Sequence, residues 1–151
     1  MSKLVSQFSL NDFKGTIESC DELLHRDFDL FDVAYEWKIK SLTKLKKFVK
    51  AHEIITTWKR KNPLYFKYDF EKAKLLLEEK KYEEAKKLLQ TILLSHPEHS
   101  ASHYELANLM AQQGAKLEAL FGFQMAIMIN RSSTVLQKSY VGMEDVIQNN
   151  F

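Results

Sequence analysis

Apolar residues along the chain recur at helical spacing in blocks of about 14 residues, each followed by a short polar turn. Residues 65–79 and 82–96 are two such blocks, and only Lys80 and Lys81 join them. Spacing of this kind gives each helix one apolar stripe for burial. Because a short connection leaves consecutive helices side by side, the pattern predicts antiparallel helical hairpins.

The hairpins repeat along the chain with a constant period of about 34 residues. Alanine stands at the same place in each period, as Ala51, Ala85 and Ala119. A small residue at the same place in each second helix lets the paired helices approach closely. The same period relates Leu42, Leu76 and Met110; Ile55, Leu89 and Phe123; Pro63 and Pro97; and Phe48 and Tyr82. A fixed period of this length predicts stacked helical repeats.

The order of these residues resembles the tetratricopeptide repeat. Residues 66–99 carry that pattern as Ala73, Leu76, Tyr82, Ala85, Leu89 and Pro97. The resemblance implies an all-α fold, a right-handed superhelical stack of antiparallel helical hairpins, in a single domain over residues 1–151. It divides the domain into a partial repeat at 1–31, repeats at 32–65, 66–99 and 100–133, and a capping helix at 134–151.

The two ends of the chain carry single apolar stripes. In the partial repeat, residues 11–27 resemble a second helix with Cys20 on its apolar stripe, so this thiol is expected in the core. In the last segment, the stripe that should cover the end of the stack consists of Leu136, Tyr140, Met143 and Ile147.

The first helix of each repeat supplies the candidate binding surface, because first helices line the concave face of such a stack. The family's groove positions transfer onto Glu36, Lys40, Lys67, Phe70, Lys74, Tyr104 and Asn108. Lysines beside aromatic residues suit a peptide or helix with acidic and apolar side chains. Glu36, Glu71 and Glu105 stand where relatives that clamp a chaperone's terminal carboxylate carry Lys, Asn and Arg, which argues against that ligand. A protein interaction scaffold or adaptor is therefore expected.

The charge distribution leaves two alternatives open. Residues 38–74 contain 12 basic and 3 acidic residues, a net charge of +9, in a chain whose net charge is +2. Basic and aromatic residues interleave at 58–68, as in nucleic-acid grooves, although a pI of about 8.5 argues against that ligand. The layout is also similar to that of type III secretion chaperones, which hold a client protein. Ordinary solvated lysines would explain the same charges.

Three histidines, His96, His99 and His103, lie within eight residues of one another. A zinc site needs three or four convergent ligands, which a turn supplies poorly. Ser102 and Glu105 match a capping box, so the segment is expected to be a turn before a helix. With four glycines in the chain, a phosphate-binding loop is also not expected. The sequence predicts no catalytic residues, no metal and no cofactor.

Compartment and assembly follow from two further features. A single cysteine and the lack of a long apolar run favour a cytoplasmic chain that does not span a membrane. Residues 116–130 are apolar nearly all round, more than one buried stripe requires. Phe121, Met125 and Met128 are therefore candidates for self-association as a homodimer. The alternative is that the capping segment, including Phe151, covers them.

Overall fold

The computed structural model describes residues 2–26 and 31–148, and every regular element within those ranges is an α-helix. Residues 27–30 of the predicted partial repeat, and Phe151 of the capping segment, lie outside the described residues. The helices fall into two compact units, Met1–Lys80 and Lys81–Phe151. The boundary falls inside the second predicted repeat, between its two helices.

Helix bounds match the predicted blocks closely. The first unit contains α1 Ser2–Ser9, α2 Phe13–Arg26, α3 Phe31–Lys44, α4 Phe48–Lys61 and α5 Lys67–Glu78. The second unit contains α6 Tyr82–Ser95, α7 Ser100–Gln112, α8 Lys116–Ile129 and α9 Ser133–Gln148. Helix α1 gives the predicted partial repeat a first helix, and its Leu4 packs in a cluster with Cys20 and Ala34. The expected burial of Cys20 is confirmed, and burial together with Asp21 raises the pKa of its thiol to about 12.

The turn inside each hairpin repeats the same backbone conformation. Lys46, Lys80 and Gly114, which stand one period apart, have φ of 55°, 61° and 77°. After α7, the Ala115 amide donates to the Met110 carbonyl at 2.9 Å, and the Gly114 amide donates to that of Ala111 at 3.1 Å. This is the Schellman arrangement, in which a left-handed residue ends a helix. The period therefore fixes where each hairpin bends.

The core of the first unit is built around Trp58, which is fully buried. Its indole stacks on the Tyr35 ring, with centroids 5.9 Å apart, and its Nε1 donates to Asp32 Oδ1 at 2.6 Å. Ala51, at the predicted small position of α4, is also fully buried. An aromatic core, with a hydrogen bond from Trp58 to Asp32, thus joins α3, α4 and α5.

The core of the second unit is built around Phe123 of α8, which is fully buried. A Cβ added to Gly122 would lie 2.9 Å from the Ala107 Cβ, and one added to Gly142 would lie 2.5 Å from the Phe123 Cζ. Glycines therefore let α8 approach α7, and α9 approach α8. Ala119, the small residue that the period predicts in α8, is fully buried as well.

The capping helix α9 covers the second unit with a different stripe from the one predicted. Ser139 and Val146 are buried, whereas Tyr140 is 55% exposed and Ile147 is 47% exposed. The prediction that Tyr140 and Ile147 pack inward is wrong. Because Ser139 and Gly142 are small, α9 packs closest along their side, and this turns the bulky residues outward.

Candidate functional site

Four charged side chains form neighbouring ion pairs on α3 and α5, the first helices of the predicted repeats at 32–65 and 66–99. Lys40 pairs with Glu36 one turn away on α3. On α5, Lys74 Nζ lies 2.6 Å from Glu71 Oε1. Pairs three or four residues apart, with Glu before Lys, are a favoured helical arrangement. Two of the three lysines predicted to make this surface basic are thus balanced within the chain.

Glu71 is the buried member of this cluster, with 5% of its surface exposed. Burial raises the pKa of its carboxyl group, while the ammonium groups of Lys74 and Lys40 pull the pKa in the opposite direction. Glu36 adds a smaller upward shift to that pKa. The four charges therefore act on one another across α3 and α5. Sequence reasoning placed Glu71 only as an argument against a carboxylate clamp, although its three-residue spacing from Lys74 was the available signal.

Lys67 begins α5 and is exposed. Its Nζ lies 5.5 Å from the centroid of the Tyr65 ring, and a hydrogen bond to the Tyr65 side chain raises the pKa of the lysine. The carboxylates of Glu36 and Asp32 add to this upward pKa shift. Lys67 is therefore a protonated cation held against an aromatic ring. Tyr65 is the partner that the groove positions did not predict.

Phe70 lies on the same helix but is only 9% exposed. The Nζ of Lys74 lies 4.8 Å from the centroid of its ring, a cation–π contact. Phe70 therefore forms the floor under Lys74, and little of its ring is open to a ligand. The ammonium group of Lys67 and the ring of Tyr65 are therefore the groups of this face that a ligand can reach.

In the second unit, the predicted residues Tyr104 and Asn108 lie one turn apart on α7. The half-buried Tyr104 ring packs against Phe123, with centroids 5.8 Å apart. Asn108 borders a cleft of about 310 Å³ whose other lining residues include Gln112, Lys116 and Asp145. Carboxamide, ammonium and carboxylate groups around one cleft provide donors and acceptors for a peptide backbone. The last two lie on α8 and α9, so no first-helix register could have predicted them.

The histidine segment forms a turn in which each ring has a different neighbour. His96 Nδ1 lies 3.4 Å from Glu98 Oε1, His99 Nδ1 lies 2.7 Å from Ser102 Oγ, and His103 Nε2 donates to the Pro97 carbonyl at 2.9 Å. Among residues 2–26 and 31–148, no three His, Cys, Asp or Glu side chains are placed to hold a metal ion. The predicted capping box is wrong, because α7 already begins at Ser100 and Ser102 is buried inside it.

Aromatic residues in the basic segment 58–68 are occupied by internal contacts. Trp58 is fully buried and Tyr68 is 4% exposed. The ammonium group of Lys59 lies 4.9 Å from the centroid of the Tyr68 ring. Base stacking requires an open ring face. These two rings belong to the core, whereas the half-buried Tyr65 ring borders the exposed Lys67.

Comparison with known proteins identifies the repeat. A family model described as tetratricopeptide repeat matches residues 76–137. A tetratricopeptide repeat protein from Parabacteroides merdae ATCC 43184 is 18% identical with a TM-score of 0.64, over 98% of this chain and 59% of that one. MamA from Desulfovibrio magneticus RS-1 is 12% identical with a TM-score of 0.59, over 97% and 90% of the two chains.

Another structure, of MamA protein, is 14% identical with a TM-score of 0.60, and the match covers 98% of this chain and 84% of that one. Among curated proteins, no sequence gives a significant match. The family match supports the predicted tetratricopeptide repeat over residues 76–137, and the prediction of an all-α fold of helical hairpins is confirmed. In the ranges that the structure covers, none of the helices has the length and apolar character needed to cross a membrane.

Proposed function

We propose that this chain, whose residues 76–137 match the tetratricopeptide-repeat family model, is a scaffold that binds a peptide or helix of a partner protein through its first helices. The observation that carries the proposal is the exposed Lys67 beside Tyr65, at the edge of a cluster whose other lysines are already paired. A cation next to a ring recognises an acidic side chain followed by an apolar one.

The charges on the first unit support a single acidic contact with the partner. Five charged residues on the first-helix face of the first unit, Glu36, Lys40, Lys67, Glu71 and Lys74, carry a net charge of +1, so broad attraction to an acidic surface is weak. A partner that engaged Lys40 or Lys74 would compete with Glu36 or Glu71. We therefore place the acidic anchor of the partner at Lys67. Taken by itself, the second unit offers the Tyr104 ring and the Asn108 carboxamide to a partner backbone.

The test compares two lysines of the first unit. A photo-crosslinking residue replaces Lys67 in one sample and Lys50, an exposed residue of α4, in the other. Crosslinking from position 67 should capture a protein that position 50 does not. Its crosslinked segment, made as a peptide, should bind Lys67→Glu at least tenfold more weakly than the parent by calorimetry, a loss of about 1.4 kcal/mol. Lys50→Glu should bind as the parent does, and equal binding by all three would refute the assignment.

The nucleic-acid alternative makes a separate prediction. Neutralisation of phosphates releases counterions, so affinity for an oligonucleotide would fall steeply with salt. Since Trp58 and Tyr68 are buried, we expect weak binding of single-stranded DNA. A secretion chaperone would use the same first-helix surface, so the captured protein distinguishes a client from a signalling partner.

A further inference from the structure

The outer face of α8 consists of large apolar residues in contact with solvent. Leu117 is 81% exposed, Phe121 is 66% exposed and Met128 is 61% exposed. Among the predicted self-association residues, Met125 is instead half-buried, and Leu117 was not included. Among residues 31–148, α9 leaves Phe121 and Met128 uncovered, and Phe151, the other residue of the alternative cover, lies outside the described residues.

The other second helices show that an apolar residue is not required at these positions. Lys87 of α6 stands one period before Phe121, and Glu53 of α4 stands one period earlier still. All three positions are exposed. Leu117 corresponds in the same way to Glu83 of α6. The repeat therefore accepts a charged side chain at the positions of Leu117 and Phe121. Val49 of α4 and Leu94 of α6 are exposed apolar residues at the positions of Leu117 and Met128, so among these three helices only α8 has large apolar residues at all three positions.

A cleft of about 840 Å³ adjoins this face within the second unit. It is lined by Leu93 of α6, Met110 of α7, and Leu117 and Phe121 of α8. Lys86 of α6 and Glu118 of α8 also line it, and His103 of α7 adds a further polar group. Its size is in the range of established ligand-binding cavities.

We propose that the outer face of α8 and this cleft form the contact with a second copy of this chain, with each α8 packed into the other's cleft about a two-fold axis. Helix α8 has no charged residue between Glu118 and Arg131, so its face can meet itself without repulsion between like charges. Lys86 on one wall faces the position where the second copy's Glu118 would enter, which supplies opposite charges at the edge. Two-fold contacts repeat such pairs twice.

The contact is tested by sedimentation equilibrium of the full chain at micromolar concentrations. The parent should be a dimer, and Phe121→Lys, which introduces the residue type that α6 carries at this position, should raise the dissociation constant at least tenfold. Tyr140→Lys is the matched control, because Tyr140 is a similarly exposed aromatic residue of the same unit outside the cleft. Circular dichroism melts should show that both variants fold.

A charge exchange tests the orientation. Lys86→Glu and Glu118→Lys should each weaken the dimer, and the double variant should restore it, because the opposite pair forms again across the axis. A parent that stays monomeric at high micromolar concentration would overturn the proposal. So would a folded Phe121→Lys variant that associates as tightly as the parent, or a dimer that is lost only in Tyr140→Lys.

Discussion

The two units fill the same hairpin register with different side chains. In the first unit, the large residue of the second helix is Trp58, and Ile55 stands one turn before it. In the second unit, the positions two periods later hold Ala126 and Phe123, so the large side chain has moved one turn toward the start of the helix. Trp58 donates a hydrogen bond to Asp32, whereas Phe123 packs against Gly142 of α9.

Both units keep the small residue that the period predicts, but they differ in which neighbouring position holds the large side chain. Ala51 and Ala119 are fully buried at the same place in both units, because they set the approach of paired helices. The volume around them is filled by one large and one smaller residue in either order. Cores tolerate such exchanges when the total volume is kept. In the first unit the hydrogen bond from Trp58 to Asp32 also stabilises the core, whereas the core around Phe123 in the second unit is held by apolar contacts.

The largest expected effect comes from removing Trp58. Trp58→Ala should lower the free energy of unfolding by about 3–5 kcal/mol, because it leaves a cavity and a half-buried Asp32 carboxylate without its indole donor. Denaturant unfolding measures the loss. Trp37→Ala is the matched control, since Trp37 is half-buried, and it should cost less. Equal losses would show that the first core is not centred on Trp58.

Gly142→Ala tests the close packing of the second unit. The added Cβ would lie 2.5 Å from the Phe123 ring, and overpacking of this kind costs about 1–3 kcal/mol. Alanine is otherwise the better helix former by about 1 kcal/mol, so a net loss of stability reports the ring contact. Thermal melts of Gly142→Ala in the parent and in a Phe123→Leu background separate the two effects. The penalty should shrink in the second background, and an unchanged penalty would exclude the contact as its cause.

Substitutions in the hairpin turns should change the melting temperature by a smaller amount, and in opposite directions in the two units. Lys46 and Lys80 of the first unit hold a positive φ that costs a residue with a Cβ about 1 kcal/mol, whereas Gly114 of the second avoids this cost. Lys80→Gly should therefore raise the melting temperature, and Gly114→Ala should lower it. Lys81→Gly is the control for the loss of a lysine near the same turn. If Lys80→Gly melts below the parent, the left-handed conformation is not what limits this turn.

Glu71 gives the smallest expected effect, as a dependence on pH. Its folded pKa is raised, so the folded state binds the proton more tightly than the unfolded state. Stability should therefore fall as pH rises from the ordinary glutamate pKa through the raised one. Glu71→Gln should remove that fall and melt higher than the parent at neutral pH. Parallel melting curves for the two proteins from pH 4 to 8 would contradict the raised pKa.

The sequence predicted what the repeat period controls. Ala51, Ala85 and Ala119 are fully buried, and the helix bounds follow the apolar blocks, because each repeat unit makes the same local contacts. The prediction that Tyr140 packs inward was wrong, because α9 has apolar residues on two sides. The small Ser139 and Gly142 decide which side packs. Sequence reasoning also missed the pairing of Lys74, which depends on the burial of Glu71.

The exposed side of α9 has a consequence for extending the molecule. Tyr140 and Val141 stand one period after Leu106 and Ala107, and Ala107 is the residue of α7 that Gly122 of α8 approaches. The side of α9 that carries Tyr140 and Val141 is therefore equivalent in the repeat to the side of α7 on which α8 packs. A designed amphipathic helix, added to the chain after α9, would pack its apolar side against these residues. Modules of matching period could then be added one at a time, as in the assembly of synthetic repeat arrays.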